Sequence, residues 1–116
     1  MKIEKQVFLV AGGGSGLGAA TARRLVAEGA RVVVADVNDA GDWVAKQFGA
    51  EGRFIHTDVT NEAQVQAGFA QAVGSFGRLD VCVANAGILI AEEITEFPAE
   101  KWRAVMNVNL FGYFLC

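Results

Sequence analysis

The sequence predicts an α/β fold, a three-layer doubly wound parallel sheet with helices on both faces, and three observations carry that expectation. Short apolar runs such as Val7–Val10 and Val32–Ala35 lack polar alternation, the mark of strands covered on both sides. Segments between them repeat apolar residues at three- and four-residue spacing, as helices do. The first two of those segments stop at glycine, Gly29 and Gly49. With 116 residues the chain is one domain at most, and the expected strand order is 3-2-1-4, the first half of such a sheet.

The first strand, Val7–Ala11, runs into Gly12-Gly13-Gly14-Ser15-Gly16-Leu17-Gly18. Glycine lets backbone approach a ligand closely, and the following helix presents free N–H groups and a positive dipole end, which favour an anion such as a pyrophosphate. A phosphate loop of the ATP and GTP type would need lysine where Ala19 stands. The best-placed register is Gly12-x-x-x-Gly16-x-Gly18, with Gly12 directly after the strand. Leu17, Ala20, Thr21 and Leu25 predict one apolar stripe on a helix reaching Glu28.

A second strand, Arg31–Asp36, ends on an acid eighteen residues past Gly18, near the ~20-residue offset at which a carboxylate accepts from a ribose 2′-hydroxyl. That carboxylate repels a 2′-phosphate, and neither Val37 nor Ser15 supplies a positive charge, so NAD is expected over NADP. Ala40, Val44 and Phe48 mark a weaker helix interrupted by Gly41. Arg53–Thr57 reads as the third strand, and His56, the only histidine, is read as structural. Asn61 with Gln64 forms a possible capping box ahead of a helix whose stripe is Val65, Phe69, Val73 and Phe76.

Leu79–Ala84 is the fourth strand, and it enters a turn at Asn85-Ala86-Gly87. On chemistry alone Asn85 reads equally as a ligand contact or as an amide pairing local backbone. After a loop over Ile88–Glu96, Pro98 stands where a last helix begins. There Trp102, Val105, Met106, Asn109, Leu110 and Tyr113 share one predicted face. Asn109 would then be an amide on an apolar surface, where it must find partners.

Composition narrows the function classes. A net charge of −3 and a pI near 5.0 leave no electrostatic footprint for nucleic acid, and no basic run suggests a membrane surface. The N-terminal stretch is too short for a signal core or a membrane span, so the cytoplasm is the expected location. Cys82 and Cys116 show neither metal-ligand nor redox spacing and are read as reduced thiols.

Taken together, the glycine turn, Asn85-Ala86-Gly87 and Trp102…Val108-Asn109-Leu110 resemble the short-chain dehydrogenase/reductase family, in the classical NAD-preferring form, over essentially the whole chain. Ala11 and Ala84 depart from that family's threonine and first asparagine. The resemblance implies a Rossmann fold. It implies an oxidoreductase that transfers hydride between NAD and a small-molecule alcohol or ketone, in a parent enzyme that forms homo-oligomers through the helix near Trp102. It assigns cofactor binding to Gly12, Ser15, Gly16, Leu17 and Gly18, to Asp36, to Asp58 and Val59 at the adenine, and to Asn85, Ala86 and Gly87. It assigns Asn109 to a catalytic tetrad, positioning a water in a proton relay. No metal is implied.

The family's serine and Tyr-x-x-x-Lys lie downstream of the last helix, and Tyr113 is followed by no such lysine. Residues 1–116 are therefore expected to be the cofactor-binding portion of the domain, inactive alone. The open sheet edge makes the chain prone to aggregate or dependent on a partner. A non-catalytic NAD-binding module, or a gene fragment, is the alternative. A methyltransferase on a similar sheet shares the strand-end acid but not the other motifs. Segments near both ends resemble different branches of the family, so the substrate stays open.

Overall fold

A computed structural model covering residues 1–116 shows a parallel sheet whose central strands divide the interior into two layers. Strands β1 (Val7–Ala11), β2 (Arg31–Asp36), β3 (Gly52–His56) and β4 (Val81–Ala84) lie in the order β3-β2-β1-β4. Every pairing is parallel, with Ala11 beside Ala35 on one side and Ala84 on the other, so the strand C-termini share one edge. The doubly wound fold and strand order expected from the sequence are therefore present.

Alternation along β1 builds both layers. Phe8 and Val10 join Val32 and Val34 on one face, covered by α1 (Gly16–Ala27) through Ala19, Ala22 and Leu25 and by α2 (Ala40–Lys46) through Val44 and Ala45. Val7, Leu9 and Ala11 join Val33 and Ala35 on the other, covered by α3 (Glu62–Phe76) through Val65 and Ala72. Val7, Val10, Val32, Val33 and Val34 are wholly buried, each worth roughly 1.5–3 kcal/mol of apolar transfer. β4, at the sheet margin, is only partly covered.

Several local expectations shift by a position, for one reason: the helices seat small residues against the sheet. On α1 the buried set is Gly18, Ala19, Ala22 and Leu25, whereas Leu17 is 81% exposed. On α3 it is Val65, Gly68 and Ala72, with Phe69 and Phe76 at the margins and Val73 half exposed. Gly41, which weakened the case for α2, is what lets that helix close on β3, since a Cβ there would lie 2.6 Å from the Phe54 ring. Asn61 caps α3 by accepting from the Gln64 N–H, but the Gln64 side chain accepts from the Asp58 N–H instead of returning to Asn61. His56 ends β3 on the surface, 3.4 Å from the Asp39 carboxylate.

The last helical segment departs most. It is α4 (Ala99–Met106), a π-helical turn (Asn107–Phe111) and α5 (Gly112–Leu115). Val108, Leu115 and Cys116 pack on the sheet, while Trp102, Leu110 and Tyr113 of the expected apolar face are more than half exposed. No helix is long and apolar enough to cross a membrane.

Asp80 ties the start of β4 to the start of β1. Its carboxylate accepts from the Val7 N–H at 2.8 Å, while its own N–H donates to the Val7 carbonyl. Bonds from Arg78, and then from Val7, hold its carboxyl below the usual carboxylate range. A carboxylate held low in the folded state contributes stability above its unfolded pKa and loses it as pH falls through the folded value. Asp80→Asn is therefore expected to lower Tm at neutral pH, with the gap to wild type closing in acid. Melting curves across an acid series check this, and a gap constant with pH would contradict it.

Candidate functional site

The shared C-terminal edge of the sheet opens into a cleft of about 390 Å³. Three strand ends deliver its walls: the glycine turn after β1, Asp36–Val37 after β2 and Asn85–Ile88 after β4. Thr57, Asp58 and Val59 after β3 and Val108 from the π turn complete it. Ligand sites of open α/β sheets form at this edge.

The turn between β1 and α1 is held by short contacts that only glycine permits. Gly12 has φ +73°, and its N–H donates to the Ala35 carbonyl at 2.7 Å. A Cβ on Gly18 would sit 2.1 Å from the Gly12 carbonyl oxygen and 2.6 Å from the Asn85 amide nitrogen. That amide donates to the same carbonyl at 3.2 Å, tying the two turns together. Ser15 is the N-cap of α1 but makes no side-chain cap, and the first hydrogen bond of the helix runs from the Ala19 N–H to the Ser15 carbonyl. The N–H groups of Gly16, Leu17 and Gly18 thus have no partner within the helix, and a Cβ at Gly16 would meet nothing within 4 Å. The cradle is open and carries the positive end of a twelve-residue helix.

Asp36 and Asp58 are the only charged residues in the lining. One Asp36 oxygen accepts from the Gly14 N–H and the other from the Asn38 N–H, both at 2.9 Å. Each oxygen keeps a further lone pair for a hydroxyl. Asp58 accepts from the Thr60 hydroxyl at 2.7 Å and from its N–H at 2.9 Å. Those two bonds, the hydroxyl's foremost, hold Asp58 below the ordinary carboxylate range and keep it ionised.

Of the residues proposed from sequence for cofactor binding, Gly12, Ser15, Gly16, Leu17, Asp36, Asp58, Val59, Asn85, Ala86 and Gly87 all line this cleft. Gly18 stands behind it as the packing point of the turn. The exposure of Leu17 is explained by its place in the lining. Asn109 binds the cleft wall from outside: its Oδ1 accepts from the Ile88 N–H and its Nδ2 donates to the Ile88 carbonyl, both at 2.8 Å. Sequence reasoning missed Thr57, Ile88 and Val108 as lining residues. Thr57 and Ile88 directly adjoin Asp58 and Gly87, a neighbourhood that could have flagged them, whereas Val108 arrives through tertiary packing alone.

Comparison with known proteins gives one consistent result. The family of short chain dehydrogenases matches residues 6–116. A 3-alpha-(or 20-beta)-hydroxysteroid dehydrogenase of Mycobacterium tuberculosis is 44% identical over 111 residues, which cover 95% of this chain and 43% of that protein. A 3-ketoacyl-(acyl-carrier-protein) reductase of Brucella melitensis, solved with NADH, superposes with a TM-score of 0.93 at 34% identity, covering 97% of this chain and 48% of that one. A short chain dehydrogenase/reductase of Burkholderia phymatum, solved with NAD, gives 0.94 at 32% identity, covering 99% and 42%. The chain thus spans less than half the length of each of these proteins.

Gly18→Ala is expected to destabilise the fold by about 1–3 kcal/mol, because the methyl group meets backbone that cannot move without breaking the turn. Denaturant unfolding measures the cost, and a loss below about 0.5 kcal/mol would show that the turn can relax. Asn109→Ala removes both Ile88 bonds and is expected to cost about 1–2 kcal/mol by the same measurement.

Proposed function

The chain belongs to the short chain dehydrogenase family, and we propose that it forms the cofactor-binding half of an NAD-dependent oxidoreductase acting on a small alcohol or ketone. The observation that carries this reading is the convergence, in one cleft, of an uncapped helix N-terminus and a strand-end carboxylate on either side of the glycine turn. The N–H groups at Gly16–Gly18 would hold the pyrophosphate, and Asp36 would accept from the adenosine ribose hydroxyls. Asp58 and Val59 would border the adenine, and Asn85, Ala86 and Gly87 the second ribose. The nicotinamide, when bound, carries the hydride.

Preference for NAD follows from charge. Asp36 opposes a 2′-phosphate, Asp58 adds a second negative charge, and no Lys or Arg lines the cleft to offset them. Asp36 is also committed to the fold through Gly14 and Asn38, so its carboxylate cannot swing away from the ribose position without breaking those bonds.

Asn109 is proposed as the tetrad asparagine that positions a water in the proton relay. Its side-chain amide is bonded to both the N–H and the carbonyl of Ile88, and it lies within the π turn. The serine, tyrosine and lysine of the reaction are assigned to a following segment, as the relatives' greater length supports. These 116 residues alone would bind cofactor without turnover. The parent enzyme would form homo-oligomers and reside in the cytoplasm.

Titration of NADH and NADPH by nucleotide fluorescence tests the central reading. NADH is expected to bind at least tenfold more tightly, a difference of about 1.4 kcal/mol. Asp36→Asn, which can still accept from Gly14, should bring the two affinities within about threefold. Equal binding of both nucleotides by the unaltered chain would overturn the NAD assignment.

A further inference from the structure

Within the turn between β1 and α1, Gly14 is the glycine whose side-chain space is filled by an acid. It is buried and stands behind the cleft, outside its lining. Gly12 and Gly16 have positive φ, but Gly14 does not, so its backbone conformation does not itself demand glycine. Its neighbours make that demand. A Cβ on Gly14 would lie 2.8 Å from Asp36 Oδ2 and 3.1 Å from Asp36 Cγ. The same Oδ2 accepts from the Gly14 N–H at 2.9 Å. On the remaining side the Gly41 Cα, in the first turn of α2, would stand 3.1 Å away.

We infer that Gly14 is a positioning residue for nucleotide selectivity: its bare Cα lets the Asp36 carboxylate seat against the turn, where it meets a ribose hydroxyl and opposes a 2′-phosphate. The inference rests on the ribose-binding role of Asp36 proposed above. An added methyl presses on two groups of unequal stiffness. Gly41 is backbone in a helix held on the sheet through Val44 and Ala45, whereas Asp36 Oδ2 is the end of a side chain. The carboxylate therefore yields, and its bond from Gly14 lengthens. The Asn38 N–H holds the other oxygen at 2.9 Å and limits how far the group can go.

Gly13 supplies the contrast. A Cβ there would meet the Val10 carbonyl oxygen at 2.9 Å and Val34 Cγ1 at 3.2 Å, which are strand atoms and not the acid. A methyl at 13 strains the turn without pressing on Asp36.

Titration of NADH and NADPH into Gly14→Ala, Gly13→Ala, Asp36→Asn and the Gly14→Ala/Asp36→Asn double variant tests this, with a melting curve for each. In Gly14→Ala the affinity for NADH should fall about fivefold while that for NADPH does not fall, since hydroxyl bonds weaken as phosphate repulsion is relieved. Gly13→Ala should lower Tm and keep the wild-type ratio of the two affinities. In the Asp36→Asn background Gly14→Ala should change that ratio no further, the non-additivity of two changes acting through one group. An unchanged ratio in Gly14→Ala, an equal loss of both nucleotides, the same shift in Gly13→Ala or an additive effect in the double variant would each overturn the proposal. Failure of Gly14→Ala to fold would overturn it too, because the glycine would then serve packing alone. The double variant decides if Gly13→Ala does not fold. Equal binding of both nucleotides by the unaltered chain would instead remove the role of Asp36 on which the inference rests.

Discussion

The candidate site depends on the near-contact between the Gly12 carbonyl and Gly18. That carbonyl sits where a side chain on Gly18 would stand, and Asn85 donates to it from the neighbouring turn. A hydrogen bond of this kind is worth about 1 kcal/mol net, but its geometric effect is larger. It sets how close α1 lies to β1, and so where the open N–H groups of Gly16–Gly18 point. The turns after β1 and β4 are joined by the same atom. Displacing it would move both walls of the cleft at once.

The electrostatics of the cleft combine opposite signs at different places. The α1 N-terminus is the positive end, while Asp36 and Asp58 stand at the ends of β2 and β3. Each carboxylate is stabilised by backbone donors: Gly14 and Asn38 for the first, Thr60 for the second. The cleft therefore favours an anion at the helix end and disfavours one beside the two carboxylates. Such an arrangement suits a ligand with a phosphate middle and hydroxyl-bearing sugars.

The last helical segment links cleft and core through one small residue. A Cβ on Gly112 would stand 2.6 Å from Val59 Cγ2, so glycine there lets the segment close on the loop after β3. The π turn just before it places Val108 in the cleft while Asn109 clasps Ile88. Leu115 and Cys116 pack against the same core layer. Trp102, Leu110, Tyr113 and Phe114 remain on the opposite, exposed side.

Much of the fold was legible in the residues because its causes are local or periodic. Unbroken apolar runs mean strands covered on both faces, and β1 and β2 fell where Val7–Ala11 and Arg31–Asp36 predicted. Glycine spacing marked the turn, since close backbone approach excludes a Cβ whatever surrounds it. Helix faces were less legible: on α1 and α3 the small residues, not the largest, meet the sheet, and periodicity cannot rank Ala22 over Ala20. The π turn added a shift in phase that no spacing rule anticipates. Sequence alone thus determined the order of elements and the identity of the cleft's principal residues. Only the tertiary structure decided that Asn109 spends its amide on Ile88 and that Asp36 is bonded to Gly14. Those are contacts between distant segments, and the distances between them are settled by packing.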